Sequence, residues 1–361
     1  MKYKNIHFEI KIFSIFVLII LILNILLLIY NRKNVKYGKR IGVISLRHEV
    51  NIGNNLIKYA ISILIKQLGY KPFIIGTHWN NFNITFINKT TNLVIIKDNF
   101  SEIRRNDYDI LMVNSDQTWR YFDKNFYDYG FLKFAENWNI KKFVYGASLG
   151  YDVWKFTKKE EEVAKNLIKN FSDISVREKG SIKLIKEHFG ITPTLVLDPT
   201  LLIDKKYYLN IIKDYKGNKV INKKYIFAYT VLDSKIIIQR MKEASRIFKY
   251  ETYFLGLNNY TTVENFLYYM INSDCVITNS FHGTIFSILF NKPFITIYAN
   301  FNARERYRAL GDLFGIHDRI FENRQKPNLK QLINPLKIDL TSLNQLKLQS
   351  INFLKKNLEN I

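Results

Sequence analysis

Short apolar runs alternate with amphipathic stretches over most of this chain. The runs are rich in β-branched residues and predict strands at residues 41–46, 73–76, 93–96, 110–114, 143–147, 173–176 and 194–197. Apolar residues at helical spacing predict helices between several of these strands, at 56–68, 158–170 and 179–189. Because strands that alternate with helices are typical of a parallel sheet covered by helices, we expect a Rossmann-like α/β domain at residues 41–200.

A second series of the same kind follows. It predicts strands at 225–231, 251–255, 275–278 and 294–298, with helices at 234–248, 263–271, 284–290 and 307–314. This series predicts a smaller Rossmann-like domain at residues 201–325. The amphipathic tail predicts a helix within residues 326–361 that packs back on the first domain. Two α/β domains that face a cleft bind their ligands at the carboxyl ends of the strands.

The N-terminal segment predicts a membrane anchor. Residues 12–30 hold nineteen residues without a charge, and a helix of that length spans about 28 Å, close to the thickness of a bilayer core. A cleaved signal peptide is the alternative, but Asn31, Arg32 and Lys33 follow where small residues would be expected. Five basic residues follow the span and three precede it. Residues 1–40 therefore predict a single-pass anchor and basic linker, with the catalytic domain in the cytoplasm.

Composition narrows the function classes. The 361 residues include 54 Lys and Arg against 31 Asp and Glu, a net charge of +23, of which +7 lies in residues 1–40. This charge could serve nucleic acid, an anionic membrane surface or anionic small ligands. The sequence has no block of consecutive basic residues and no nucleic-acid motif, so we set nucleic acid aside. Its single cysteine, Cys275, excludes a disulfide framework and a thiolate zinc site.

Polar and small residues follow three predicted strands of the first domain. At 51–55, Gly53 would let the backbone approach a ligand and the next helix offers free N–H groups, although an Asn/Gly turn capped by Asn51 explains the pattern equally well. Asp116 and Gln117 follow a buried strand and predict cleft-lining side chains, with a capping turn as the alternative. The small residues around Ser148 would suit close approach of a sugar ring.

Two further strand ends carry charged or titratable groups. Arg177 directly follows a predicted buried strand, and its guanidinium group matches carboxylate or phosphate oxygens, although a structural ion pair with Glu178 is the alternative. His282 stands where Gly283 and Thr284 open a predicted helix, a position suited to proton transfer. A structural histidine is the default interpretation of that motif taken alone.

Taken together, these motifs resemble the polysaccharide pyruvyl transferase family. The resemblance extends over about residues 41–320, and Asn114 stands where the family often has glycine. The segments that carry it are the Asn51 and Gly53 turn, Ser115 to Trp119, Ala147 to Gly150, Ser175 to Glu178, Leu197 to Leu202, Asn279 to Thr284, Ile288 to Ile295, and Arg306.

The resemblance implies a GT-B-like pair of domains that moves the pyruvyl group of phosphoenolpyruvate onto two hydroxyls of a surface glycan, in lipid-linked form, as a cyclic ketal. It implies His282 and Arg177 as catalytic residues. It implies phosphoenolpyruvate as a co-substrate, with no other cofactor and no metal. The implied donor-binding residues are Arg177, Arg306, Ser280, Gly283 and Thr284; the implied acceptor-binding residues are Asn51, Gly53, Asp116, Gln117 and Ser148.

Two other functions stay open at the level of sequence. A GT-B glycosyltransferase that uses a nucleotide-sugar donor would share the fold, because helix N-termini bind diphosphates equally well. A membrane-tethered glycan-binding protein would share the anchor and the cleft but would have no turnover. Donor use separates the first from pyruvyl transfer, and the effect of replacing His282 separates the second.

Overall fold

The structure, a computed structural model, shows two parallel sheets with helices packed on them. It describes residues 38–45, 51–77, 86, 90–96, 100–120, 126–151, 153–217, 222–231, 235–256, 262–298, 304–338 and 341–359. No helix within these ranges is both long and apolar enough to cross a membrane. The predicted span at residues 12–30 lies outside them and stays a prediction.

The first sheet has seven strands within the described residues, in the order β3-β2-β1-β4-β5-β6-β7, and every pair is parallel. β1 pairs with β2 on one side and with β4 on the other, so the strand order reverses at β1 and opens a crevice at the carboxyl edge. The strands are β1 Arg40–Ile44, β2 Lys71–Thr77, β3 Leu93–Ile96, β4 Ile110–Val113, β5 Lys141–Ala147, β6 Asp173–Val176 and β7 Thr194–Leu195.

The second sheet has five strands within the described residues, again all parallel, in the order β12-β11-β10-β8-β9. Its order reverses between β8 and β10, which places a second crevice at the carboxyl edge. The short strand β12 has no counterpart among the predicted strands. The strands are β8 Tyr225–Thr230, β9 Glu251–Gly256, β10 Cys275–Thr278, β11 Phe294–Tyr298 and β12 Ile320–Glu322.

Helices connect and cover the strands. The predicted start of α8 is wrong: the helix begins at Phe281 and not at Thr284, so His282 lies inside its first turn. The cause is the Ser280 side chain, which caps the helix by accepting a hydrogen bond from the N–H of Gly283 at 3.1 Å. The helices are α1 Ile52–Gln67, α2 Phe126–Phe131, α3 Lys158–Ile168, α4 Lys179–Phe189, α5 Lys205–Ile211, α6 Lys235–Phe248, α7 Val263–Asn272, α8 Phe281–Leu289, α9 Arg304–Phe314 and α10 Thr341–Glu359.

One hydrophobic cluster joins the two domains. It contains buried side chains of both sheets and of α1, which packs against α7, α8 and the short turn Pro199–Leu201. α10 packs on the first sheet, where the Phe353 ring lies 6.1 Å from that of Tyr145 and the Ser350 hydroxyl accepts the Leu197 N–H at 2.8 Å. These contacts fix the strand ends of one domain against the helix starts of the other.

Candidate active site

Arg177 ties three strand ends of the first domain together. It follows β6, its side chain is only 2% exposed, and it donates from Nη1 to Asp198 at 2.8 Å and from Nη2 to Asp116 at 2.7 Å. Its Nε lies 3.8 Å from a carboxylate oxygen of Glu178. Burial alone would lower the pKa of Arg177, but the carboxylates of Asp116 and Asp198 outweigh it and raise the pKa. The guanidinium group is therefore protonated, and the carboxylates of Asp116 and Asp198 already balance its positive charge.

Asp116 reaches Arg177 from the loop after β4. Its φ of 105° lies in the left-handed region, a conformation that costs free energy in a residue other than glycine. Its backbone oxygen accepts the Ser148 N–H at 2.9 Å, which ties this loop to the end of β5. Burial would raise the pKa of Asp116, but the positive charge of Arg177, with smaller effects of His282 and Arg306, lowers it.

Asp198 follows β7 and begins the turn Pro199–Leu201. Its Oδ1 accepts hydrogen bonds from the N–H and the hydroxyl of Thr200, at 3.0 and 2.7 Å. Its Oδ2, already bound to Arg177, lies 3.4 Å from Nε2 of His282. Burial would raise the pKa of Asp198, but His282 and Arg177 outweigh it and hold the pKa well below its ordinary value. Asp198 is thus an ionised carboxylate in contact with both domains.

His282 belongs to the second domain, yet residues of the first domain enclose it. The side chain is buried in the first turn of α8, and Asp198 lies on its Nε2 side. On the other side is Gly53 of α1, where an added Cβ would lie 2.0 Å from Nδ1 and 2.3 Å from Cγ. Only a glycine at position 53 lets α1 pack against this ring.

Phe281 separates two guanidinium groups. Cζ of Arg177 lies 4.9 Å from the centre of its ring and Cζ of Arg306 lies 5.4 Å away, both within the range of a cation–π contact. Arg306 comes from the first turn of α9, and its buried Nε has no hydrogen-bond partner among the described residues. Burial and then the nearby charge of Arg177 lower the pKa of Arg306.

A cavity of about 160 Å³ lies beside this cluster, between the domains and α10. Its charged lining residues are Arg177, Glu178, Lys179, Asp198, Glu305, Arg306 and Asp312, and most of the remaining lining residues are apolar, mainly leucines. The first residues of α4 and α8, Lys179 and Phe281, and the first turn of α9 line it. Helix N-termini carry partial positive charge, so three of them at one cavity favour an anion.

Some buried atoms of the charged lining residues lack hydrogen-bond partners. They are Nε of Arg177, Oε2 of Glu178 and Nε of Arg306, each without a partner among the described residues. The Glu178 side chain, which precedes α4, makes no capping hydrogen bond to that helix. Buried polar groups are nearly always hydrogen-bonded in native proteins, and this cavity would supply these three with a ligand or water.

The structure brings Arg177, Arg306, His282, Asp116 and Gly53 together, as the sequence motifs suggested. The remaining predicted residues make contacts within the protein, and their binding roles stay predictions. Ser280 caps α8, Gly283 packs on Thr278, Thr284 bonds to Ser280 and Thr296, Asn51 caps α1, Gln117 accepts from Arg120, and Ser148 accepts from Gly150.

Sequence reasoning missed the roles of two residues. Asp198 belongs to the segment Leu197 to Leu202 but received no function; its signal is an aspartate placed directly after the predicted strand at 194–197 and before a proline. Phe281 belongs to the segment Asn279 to Thr284 but received no role of its own. Both become visible only once the two domains are placed against each other.

A solved structure supports the fold. UGT89C1 from Arabidopsis thaliana, complexed with UDP-L-rhamnose, shares 9% identity with a TM-score of 0.52, and the match covers 89% of this chain and 99% of that one. The UDP-GlcNAc 2-epimerase from Methanocaldococcus jannaschii shares 13% identity with a TM-score of 0.49, covering 86% and 99%. At such identities the likeness concerns the fold alone. With two parallel sheets, the chain has an α/β GT-B-like fold.

Sequence comparisons give the family. No curated protein matches this chain. The sequence model of polysaccharide pyruvyl transferase matches residues 51–300, more than two thirds of the chain. That range contains Asp116, Arg177, Asp198 and His282, and Arg306 lies just beyond it. The chain is therefore a transferase of the polysaccharide pyruvyl transferase family.

Proposed function

We propose that this protein transfers the pyruvyl group of phosphoenolpyruvate onto two hydroxyls of a glycan sugar, forming a cyclic ketal and releasing phosphate. The observation that carries the proposal is the cavity where Arg306 and the starts of three helices meet, lined by the Asp198 that contacts His282. Such a cavity suits a small, highly charged anion better than a neutral donor. Membership of the family supports a polysaccharide acceptor.

Arg306 and the start of α4 would hold the donor's carboxylate and phosphate groups. Arg306 has no ion pair at 4 Å or less with a carboxylate of the described residues, whereas both Nη groups of Arg177 are bound to Asp116 and Asp198. Arg177 would therefore offer the donor only its Nε. Its larger role would be to hold the two carboxylates in place.

His282 would act as the acid and base of the reaction. It contacts Asp198 and Phe281, two residues that line the cavity. In the first step an acceptor hydroxyl forms a bond to C2 of phosphoenolpyruvate, C3 takes a proton from His282, and the hydroxyl proton passes back to His282. In the second step another hydroxyl bonds to C2, the bond from C2 to the phosphate oxygen breaks, and the hydroxyl proton leaves with phosphate.

The acceptor would approach from the first domain, past Asp116 and Gln117. A lipid-linked acceptor fits the predicted anchor, which would hold the catalytic domain at the cytoplasmic face of the membrane. The full-length chain in detergent, given phosphoenolpyruvate and the lipid-linked glycan fraction of its source cells, is expected to release phosphate and add one pyruvate ketal to the glycan, seen by mass spectrometry. Consumption of nucleotide sugars alone would refute pyruvyl transfer.

Replacing Arg306 tests its place at the donor. We expect Arg306→Gln to raise the KM for phosphoenolpyruvate at least about tenfold, because a lost charge-assisted contact costs about 1.5–3 kcal/mol. Arg308 lies on the same helix and is exposed, so Arg308→Gln is the matched control and should leave KM unchanged. Equal KM values in the two variants would remove Arg306 from donor binding.

A further inference from the structure

Asp198 lies where the two domains meet, and its carboxylate contacts a residue from each. Oδ1 accepts two hydrogen bonds from Thr200, and Oδ2 accepts one from Arg177 at 2.8 Å. The remaining neighbour of Oδ2 is Nε2 of His282 at 3.4 Å, which comes from the second domain. Three donors of the first domain thus fix the carboxylate in a position that faces the imidazole.

At 3.4 Å this contact is longer than the hydrogen bonds of the carboxylate, and the buried Nε2 has no hydrogen-bond partner among the described residues. The charge of Asp198 still favours one position of the ring proton. An ionised carboxylate only accepts hydrogen bonds, so Nε2 must be protonated for a favourable contact with Asp198. We propose that Asp198 is a positioning residue that holds His282 across the domain boundary with a proton on Nε2. The tautomer itself does not depend on the proposed function, whereas the effect on activity described below does.

Gly53 bounds the opposite side of the ring. Its backbone lies against the Nδ1 side of the ring, where an added Cβ would lie 2.0 Å from Nδ1. Both sides of the imidazole are therefore set by the first domain, although the ring belongs to the second. The histidine has its carboxylate partner only when the two domains are packed as they are here.

The variant Asp198→Asn tests the proposal by activity. An amide presents one oxygen, so it cannot accept from Thr200 on one side and from Arg177 and His282 on the other. We expect kcat for phosphate release from phosphoenolpyruvate to fall about 10- to 100-fold, a share of what acid–base catalysis contributes, with little change in KM. Asp204→Asn is the matched control, because Asp204 caps α5 from an exposed position, and it should behave as the wild type.

A spectroscopic test needs no substrate. The full-length chain labelled with ¹⁵N-histidine has six histidines, and His282→Gln assigns the signal of interest. At a pH where the imidazoles are neutral, the wild type is expected to show the Nε2–H tautomer at His282. Asp198→Asn should move the population toward Nδ1–H, and an unchanged tautomer would overturn the proposal.

A milder variant covers the case in which Asp198→Asn does not fold. Thr200→Val removes the 2.7 Å hydrogen bond but leaves the carboxylate, so we expect a smaller shift in tautomer and a smaller loss of kcat. Normal values of both would contradict the proposal. If the wild type releases no phosphate from phosphoenolpyruvate, the proposed function fails, while the tautomer measurement still decides the role of Asp198.

Discussion

At the scale of single residues, the packing of Gly53 on His282 gives the sharpest constraint. Gly53→Ala would place a methyl group 2.0 Å from Nδ1, and α1 or the ring would have to move. Overpacking of this kind costs about 1–3 kcal/mol, although alanine itself favours a helix. We expect Gly53→Ala to lower the free energy of unfolding and to lower kcat by a proportionally larger amount. Gly38→Ala is the control, because no atom lies within 4 Å of the added Cβ; if both variants behave alike, the contact is not needed.

The buried carboxylates predict how stability depends on pH. The pKa values of Asp116 and Asp198 are lowered in the folded protein, so their stabilisation is complete above the unfolded-state pKa of about 4 and is lost as pH falls through the folded values. Denaturant titrations below pH 5 should show a steep loss of stability. In Asp116→Asn the free energy of unfolding should fall less steeply over this pH range. A slope equal to that of the wild type would show that other groups cause the loss of stability.

Arg177 could be identified from sequence because it directly follows a buried strand, and His282 because it lies at the start of a helix that follows another. Asp198 also follows a predicted strand. Its importance, however, comes from the 3.4 Å contact of its carboxylate with His282 of the other domain. A pattern of neighbouring residues in the sequence cannot predict a contact between two residues so far apart along the chain. The Arg177–Glu178 ion pair suggested by the sequence exists at 3.8 Å, yet the shorter contacts of Arg177 are with residues distant along the chain.

At the scale of elements, helix α8 shows that capping and ligand binding can be predicted for the same side chain. Ser280 was expected to bind the donor, but its hydroxyl accepts the Gly283 N–H. We expect Ser280→Ala to lower the free energy of unfolding by about 0.5–2 kcal/mol without raising the KM for phosphoenolpyruvate. Thr262→Ala, which removes the equivalent cap of α7, is the control. A KM raised by the first variant but not the second would restore the donor role.

Strand and helix boundaries were predicted well where apolar periodicity is strong, as at β10 and α4. They failed where side-chain hydrogen bonds decide the boundary, as at α8, and where the element is too short for a period, as at β12 with three residues. Helix α1 also begins earlier than predicted, at Ile52, because Asn51 caps it. Residues that can cap a helix, here Asn51 and Ser280, therefore indicate where these two helices begin, which hydrophobic periodicity does not.

At the scale of the whole molecule, the net charge of +23 does not describe the site. Around the cavity, three positive side chains, those of Arg177, Lys179 and Arg306, stand among four carboxylates, those of Glu178, Asp198, Glu305 and Asp312. The local balance is not basic, so attraction of an anion there depends on Arg306 and on the helix N-termini rather than on the overall charge. The basic excess belongs instead to the surface and to residues 1–40.

The predicted anchor at residues 12–30 decides where the whole molecule works. If this apolar segment spans the bilayer, the full-length chain should stay in the membrane fraction after alkaline carbonate extraction, whereas a chain lacking residues 1–37 should be released. Because the basic residues that follow the span favour the cytoplasmic side, protease added to intact spheroplasts should leave the two domains uncut. A mature N-terminus found by mass spectrometry beyond residue 30 would show a cleaved signal peptide instead and would place the domains on the opposite side.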